Sequence, residues 1–162
     1  MSALIVADTG PLVILSKLNH LHLLTARYQQ ISIPETVLWE ATTLSHRQDS
    51  QRITEFVKQH VQVITDVSRQ GIDDLDFNLD EGETQAILLA QQLQCPILID
   101  EKNGRAFARR EQLDVLGTLG LLLAAKQTGL IETISPLIDQ MLEHDYRLSA
   151  ALIERVKVMA GE

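Results

Sequence analysis

The chain has 162 residues, of which 45% are hydrophobic, 22% are charged and only 4% are aromatic. This length and composition predict one globular domain with an aliphatic core, and they exclude a disordered chain or two full-sized domains. The formal net charge of −8 argues against general affinity for nucleic acid, so any such contact has to be local or assisted by a metal ion or a basic partner.

Short apolar segments alternate with helical patterns along the chain. The first, Leu4 to Ala7, ends at Asp8 and predicts a buried parallel strand, and Pro11 is expected as the first residue of the helix after it. The remaining predictions, in chain order, are a helix from Pro11 to Leu18, a short helix at His20 to Ala26, a segment Ile31 to Pro34 leading into a helix at Glu35 to Leu44, a loop from Ser45, a helix at Asp49 to His60, a strand at Val61 to Ile64, a helix at Asp80 to Leu93, a strand at Pro96 to Ile99, a helix at Lys102 to Glu111, a strand at Val115 to Leu116, an apolar helix after Gly117, and two helices within about 136–160.

This alternation predicts an α/β fold in which a parallel sheet is covered by helices on both faces. Right-handed crossovers bring the C-terminal ends of all strands to one edge, and ligands of open α/β sheets bind at that edge. No linker or repeat divides the chain, so we expect residues 1–162 to form a single domain.

Export and membrane insertion are not expected. The N-terminal apolar run is interrupted by Asp8 and has no preceding Lys or Arg, unlike a signal peptide. The stretch from Leu119 to Ala125 is too short to span a membrane. The single cysteine, Cys95, provides neither a disulfide nor a second zinc ligand and fits a buried position in a reducing compartment. These features predict a cytoplasmic protein.

Two acids follow predicted strands directly. Asp8 and Asp100 would therefore lie at the same edge of the sheet, where their charges repel unless a cation or a proton intervenes. Thr9 and Thr118 stand near them in the chain and could orient a carboxylate or a water. Thr118 also opens a helix, whose N-terminus favours a phosphate.

Two further acids lie on apolar faces of helices. Glu40 shares its face with Val37 and Leu44, and Glu83 is followed at helical spacing by Ala86 and Ile87. Burying an unpaired carboxylate is unfavourable, so both positions indicate a site. Carboxylate ligands suit Mg²⁺ or Mn²⁺, and the absence of a histidine in a matching position disfavours zinc.

Each acid also has an ordinary structural interpretation. Asp8 and Asp100 could cap the helices that follow them, Asp80 with Glu83 has the spacing of a capping box, and Glu40 could pair with an arginine. Four such explanations are needed at once, however, whereas a single metal site accounts for all four acids.

The chain resembles a PIN-domain protein of a prokaryotic, VapC-like subgroup that includes domains of unknown function. The resemblance is carried by the run Ala7-Asp8-Thr9-Gly10-Pro11-Leu12, the helix with Glu40, the motif Leu79-Asp80-Glu81-Gly82-Glu83, the strand ending Leu98-Ile99-Asp100 and the turn Gly117 to Gly120. It implies a three-layer α/β/α fold with a parallel sheet of four to five strands, and Mg²⁺- or Mn²⁺-dependent RNA hydrolysis.

On this resemblance, Asp8, Glu40, Glu83 and Asp100 are the metal-binding catalytic acids, although many relatives carry Asp where this chain has Glu83. An Asn or Asp beyond the last acid of the family corresponds to Asn103 or Glu101. Service as the toxin of a toxin–antitoxin pair is also implied, with an antitoxin protein as partner. We further expect a homodimer. Trp39 is expected in packing or at the dimer contact, and Leu12, Leu15 and Leu18 in the core or at an interface.

The densest basic cluster follows the last acid. Lys102, Arg105 and Arg109 lie near one helical face and could bind the RNA backbone, although a solvated face or a dock for an acidic antitoxin is an alternative. Two rival functions differ in class. A catalytically silent PIN-fold module would act through protein contacts alone. A phosphoacceptor receiver domain would need paired acids after the first strand, where Asp8 stands alone. A P-loop is excluded because its motif is missing.

Overall fold

The computed structural model describes residues 2–68 and 78–162. Its strands are β1 (Ser2–Ala7), β2 (Tyr28–Pro34), β3 (Val61–Ile64), β4 (Ile97–Leu98) and β5 (Val115–Leu116). Its helices are α1 (Thr9–Lys17), α2 (His22–Arg27), α3 (Glu35–Thr43), α4 (Arg47–His60), α5 (Glu81–Leu93), α6 (Lys102–Arg110), α7 (Thr118–Gln127), α8 (Ser135–Glu143) and α9 (Ala150–Ala160).

The five strands form one all-parallel sheet in the order β3-β2-β1-β4-β5, flanked by helices. The predicted α/β fold with a parallel sheet of four to five strands is thus confirmed. Strand β1 pairs with β2 on one side and with β4 on the other. In the pair of β1 and β4, Ala7 aligns with Leu98. This reversal between β1 and β4 is the topological switch point at which such sheets bind ligands.

The core is aliphatic, as the scarcity of aromatic residues predicts. Ile5, Ile33 and Leu98 of the central strands are fully buried, and the described helices contribute mainly leucine, isoleucine and alanine. Leu12 and Leu15 of α1 are also fully buried, so they belong to this core rather than to an exposed interface. No helix in the described ranges is both long and apolar enough to cross a membrane.

Three local predictions were wrong. Helix α1 begins at Thr9 rather than at Pro11, because a proline is tolerated anywhere in the first turn, where amides lack intrahelical acceptors. Helix α4 begins at Arg47, two residues before the predicted Asp49. Ile31 to Pro34, predicted only as a lead-in to a helix, is the end of strand β2, which Pro34 closes.

Candidate active site

A cavity of about 540 Å³ opens at the C-terminal ends of β1 and β4. The four acids predicted from the sequence all line it, together with two further acids, Asp80 and Glu101. Its other lining residues are Thr9, Gly10, Pro11, Leu44, Lys102, Tyr146 and Arg147. The fold therefore brings together carboxylates that are as much as 92 positions apart in the chain, between Asp8 and Asp100.

Asp8 is the least satisfied of these acids. Its side chain is buried, and among the described residues its Oδ1 atom has no hydrogen-bond partner. It occupies the N-cap position of α1 but makes no capping hydrogen bond with its side chain. Burial, followed by the negative charges of Glu83, Asp80 and Glu40, raises the pKa of Asp8 well above its usual value. Helix capping thus leaves the buried position of this carboxylate unexplained.

Glu40 is held by two donors from different elements. Its Oε2 accepts a hydrogen bond from the Thr9 hydroxyl at 2.9 Å, and its Oε1 accepts one from the Gly82 amide at 3.2 Å. Burial raises its pKa, and the charge of Asp80 adds to this effect. A Cβ added at Gly82 would overlap the Glu40 carboxylate, so this carboxylate keeps its position only beside a glycine. The predicted alternative, an arginine partner for Glu40, is not what the structure shows.

The apolar face that was predicted around Glu40 is only partly correct. Val37 and Ala41 are fully buried, but Leu44 is 74% exposed because α3 ends at Thr43. Its side chain instead lines the cavity. Trp39, the candidate dimer contact, is 62% exposed.

Glu83 serves a structural purpose and lines the cavity as well. The Asp80 side chain accepts from the Glu83 amide at 2.8 Å, and Glu83 Oε2 accepts from the Asp80 amide at 3.2 Å. This reciprocal pair is the capping box that the spacing predicted. Burial, together with the charge of Asp80, raises the pKa of Glu83 to about 7. The prediction that Glu83 belongs to a capping box is therefore correct, and Glu83 also lines the acidic cavity.

Asp100 is oriented by donors from two distant segments. Its Oδ1 accepts from the Thr118 amide at 2.7 Å, and its Oδ2 accepts from the Thr118 hydroxyl at 2.6 Å and from the Tyr146 hydroxyl. The N-terminus of α7 was predicted to favour a phosphate. In the structure, the Asp100 carboxylate accepts the hydrogen bond from the Thr118 amide at that N-terminus. Burial and the neighbouring charge of Asp100 raise the pKa of Tyr146, which keeps its phenol protonated as a donor.

Tyr146 and Arg147 were not predicted from the sequence. They lie between α8 and α9, 46 positions beyond Asp100, and belong to no periodic pattern or motif that would mark them. The only available signal was weak: a tyrosine in a polar stretch close to the C-terminal helices.

The predicted supporting residues divide into two groups. Thr9 and Thr118 donate to Glu40 and Asp100, as expected for groups that orient a carboxylate. Asn103, by contrast, is exposed and does not line the cavity, because α6 begins at Lys102 and turns position 103 toward solvent. Glu101 is the residue beyond Asp100 that lines the cavity, and it also caps α6 through the Gly104 amide at 2.6 Å.

The predicted RNA-binding cluster is dispersed. Lys102 is exposed and lines the cavity, whereas Arg109 is exposed but does not line it. Arg105 is half-buried and donates to the Ile99 carbonyl at 3.0 Å, so it braces the end of β4. Its contribution to RNA binding remains a prediction.

The carboxylates fit a hard divalent cation, although no closed metal cage is formed. Across residues 2–68 and 78–162, no group of three or more His, Cys, Asp or Glu side chains could hold a metal ion as it stands. Magnesium, however, is commonly bound through one or two carboxylates and several waters. Among the described residues, Oδ1 of Asp8 lacks a partner, and the pKa values of Asp8, Glu40 and Glu83 are raised. The two cations that line the cavity, Lys102 and Arg147, therefore do not offset the charge of these carboxylates.

Comparison with known proteins agrees with the fold. The family model DUF3368, described as a PIN domain, matches residues 4–162. The chain is similar to SSO1118, a PilT N-terminus domain protein from the hyperthermophilic archaeon Sulfolobus solfataricus P2, with 15% identity and a TM-score of 0.51 over 75% of this chain and 92% of that chain. It is also similar to PAE2754 from Pyrobaculum aerophilum, with 13% identity and a TM-score of 0.57 over 76% and 96% of the two chains. At these identities the structural likeness concerns the fold alone. None of the curated protein sequences matches this chain.

Proposed function

Since this chain belongs to the PIN-domain family, we propose that it is a metal-dependent endoribonuclease that hydrolyses RNA phosphodiester bonds. PIN domains are commonly nucleases and typically use divalent metals. The choice of RNA, and of Mg²⁺ or Mn²⁺, is part of the proposal.

The observation that carries the proposal is the state of Asp8. A buried carboxylate oxygen without a partner is costly for a folded protein. In the part of the chain that the structure describes, Oδ1 of Asp8 is such an oxygen, and it lies at the switch point of the sheet beside Glu40, Glu83 and Asp100. A divalent metal ion that binds a phosphate substrate explains this arrangement, because the cation offsets the negative charges of the clustered carboxylates and of the phosphate.

Asp8, Glu40, Glu83 and Asp100 are the residues that would hold the metal. When bound, Mg²⁺ or Mn²⁺ supplies positive charge and lowers the pKa of a water. Thr9 and the Gly82 amide fix the position of Glu40.

Donors and acids of the chain contribute the remaining parts of the site. Thr118 and Tyr146 fix Asp100 through both of its oxygens. Without metal, burial and the charge of Asp80 hold the pKa of Glu83 at about 7, so a bound cation would favour its ionised form.

The proposal is tested by cleavage of a mixed RNA pool with Mn²⁺. Wild type should cleave, whereas Asp8→Ala and Asp100→Asn should each lose at least about 100-fold in rate, because even indirect partners of metal ligands typically contribute 10- to 100-fold. Asp139→Asn removes an exposed acid of α8 and is the matched control that keeps full activity. Equal activity in all four proteins would identify a contaminant and refute the assignment.

We further propose that residues 1–162 act as one cytoplasmic domain, that the protein is the toxin of a toxin–antitoxin pair, and that it acts as a homodimer. Expression of wild type should arrest growth, and Asp8→Ala should not. The silent binding module remains the alternative, and titration calorimetry separates the two: absence of Mn²⁺ binding to wild type would favour it.

A further inference from the structure

A second cavity, of about 550 Å³, has the opposite character from the acidic one. It is lined by Lys17 at the end of α1, by His46, Arg47, Gln48, Asp49 and Arg52 around the start of α4, and by His144 after α8. It contains three permanently charged cations and a single carboxylate, in a chain whose net charge is −8. We call this the basic cavity.

The basic cavity adjoins the acidic cavity along two chain segments. Leu44 lines the acidic cavity, and His46 lines the basic one two residues later. In the same way, His144 lines the basic cavity and Tyr146 lines the acidic one. Two residues span at most about 7 Å of chain, so the two cavities are neighbours on one surface.

Helix α1 gives the distance between the two centres. It begins at Thr9, which lines the acidic cavity, and ends at Lys17, which lines the basic one. At about 1.5 Å per residue, the helix separates the two positions by about 12 Å. A nucleic-acid strand covers this distance with about two to four nucleotides.

The cations of the basic cavity differ in how many contacts they make with the rest of the protein. Arg52 donates to the Ser16 carbonyl at 3.3 Å and lies 3.9 Å from Asp49, so it is part of the structure. Within the described ranges, Lys17 and Arg47 form no ion pair. Arg47 is moreover the first residue of α4, where the helix dipole disfavours a positive charge. Local helix energetics therefore do not account for Arg47.

We propose that the basic cavity binds a backbone phosphate of the RNA, about two to four nucleotides from the bond positioned in the acidic cavity, through Lys17 and Arg47. This inference rests on the proposed nuclease function. It helps to account for how an acidic chain holds a polyanion: beside Lys102 and Arg147 of the acidic cavity, the basic cavity adds cations at a distance where they do not compete with a metal for the carboxylates.

Binding of labelled single-stranded RNA tests the proposal. Fluorescence anisotropy would be measured at fixed Mg²⁺ over a KCl series, in an Asp8→Asn background that prevents cleavage. Each phosphate contact contributes about 0.7 to the salt slope for single strands, so Lys17→Gln/Arg47→Gln should lower the slope by about 1.4. The same relation predicts about 10- to 30-fold weaker binding at 0.1 M salt.

A charge-matched variant controls for net charge. Lys58→Gln/Arg155→Gln removes one lysine and one arginine from exposed positions of α4 and α9 that line neither cavity. It should leave the slope within about 0.3 of the background protein. Binding of RNA of different lengths gives a second readout. A decanucleotide should bind more tightly than a trinucleotide to the control variant, and this gain in affinity should disappear in Lys17→Gln/Arg47→Gln.

The outcomes separate this proposal from the nuclease assignment. RNA cleavage by wild type, combined with equal salt slopes in both double variants, would overturn the phosphate site and leave the basic cavity to an acidic segment of a protein partner. A slope change without any cleavage by wild type would support the phosphate site and refute the hydrolase. No RNA binding by any of the proteins would overturn both.

Discussion

Two carboxylates in different regions of the molecule show what this fold does with negative charge. Glu162, beyond α9, accepts from Lys126 at 2.9 Å, from the Ile134 amide at 2.8 Å and from the Ser135 amide at 3.0 Å. Led by the Lys126 contact, these partners lower its pKa to about 2. Within residues 2–68 and 78–162, the buried Oδ1 of Asp8 has no hydrogen-bond partner, and the pKa of Asp8 is raised well above the usual value.

The difference teaches that one carboxylate stands apart: among the described residues, Asp8 alone of the acids has a buried side-chain oxygen without a hydrogen-bond partner, and it lines the acidic cavity. The same chain satisfies both oxygens of Glu162, so geometry alone does not prevent it from partnering a carboxylate. Asp100 is an intermediate case: several donors hold it, yet it remains at the cavity. We interpret the cost of leaving Oδ1 of Asp8 without a partner among the described residues as tolerated because a cation compensates it in the working protein.

Among the tests of this comparison, the largest effect is expected for Asp100, when it loses one of its hydrogen-bond donors. Thr118→Val keeps the shape of this fully buried side chain but removes the hydroxyl that bonds Asp100 Oδ2. RNA cleavage should fall about 10- to 100-fold, as for other groups that orient a metal ligand. Thr118→Ser restores the hydroxyl and should recover most of the rate. Equal losses in both variants would assign the effect to the methyl group and its packing.

A smaller effect, of opposite sign for the two extreme carboxylates, is expected in stability. In EDTA at pH 7.5, Asp8→Asn should raise the free energy of unfolding, because the amide cannot carry the charge that burial and the neighbouring acids disfavour at this position. Glu162→Gln should lower the melting temperature, because it weakens the contact with Lys126. Urea denaturation and thermal melts provide the measurements. A less stable Asp8→Asn protein would contradict the comparison.

The smallest effect is expected in the pH dependence of stability without metal. The folded pKa of Glu83, about 7, exceeds its unfolded value near 4.5, so the folded state binds the proton more tightly and stability falls as pH rises between these values. After allowance for solvent screening, the change should be about 0.5–1 kcal/mol.

Glu162 should behave in the opposite way. Its folded pKa is depressed, so its contribution is complete above pH 4.5 and is lost as pH falls toward 2. Urea titrations of Glu83→Gln and Glu162→Gln against wild type isolate the two contributions. Glutamine preserves the capping box of Glu83, so that variant controls for helix capping. Parallel pH profiles in all three proteins would contradict both assignments.

Much of the fold could be predicted because its signals are local. Continuous apolar runs such as Leu4 to Ala7 mark buried parallel strands, and an acid immediately after a strand lies at the ligand edge without further information. Glu83 was also predictable, since its position on the apolar face of α5 follows from helical periodicity. The order of the acids was sufficient to indicate the PIN fold.

What could not be predicted depends on contacts between distant segments. Tyr146 bonds Asp100 across 46 positions, and nothing in its neighbourhood marks it. The basic cavity combines residues from three separate stretches, so no dense basic run announces it. Conversely, the run from Lys102 to Arg110 looks basic in the sequence, but its Arg105 donates a hydrogen bond to the backbone carbonyl of Ile99. A cluster of basic residues in the sequence therefore does not show where cations are free to bind a ligand on the folded protein.

The close fit between Glu40 and Gly82 has a consequence for comparing related chains. A side chain at position 82 would occupy the space of the position-40 carboxylate, so the two sites are coupled across two helices. In homologues in which a larger residue replaces this glycine, the acid at position 40 should be displaced from this position or lost. The pair thus offers a covariation marker that sorts intact members of the family from degenerate ones before any of them is purified.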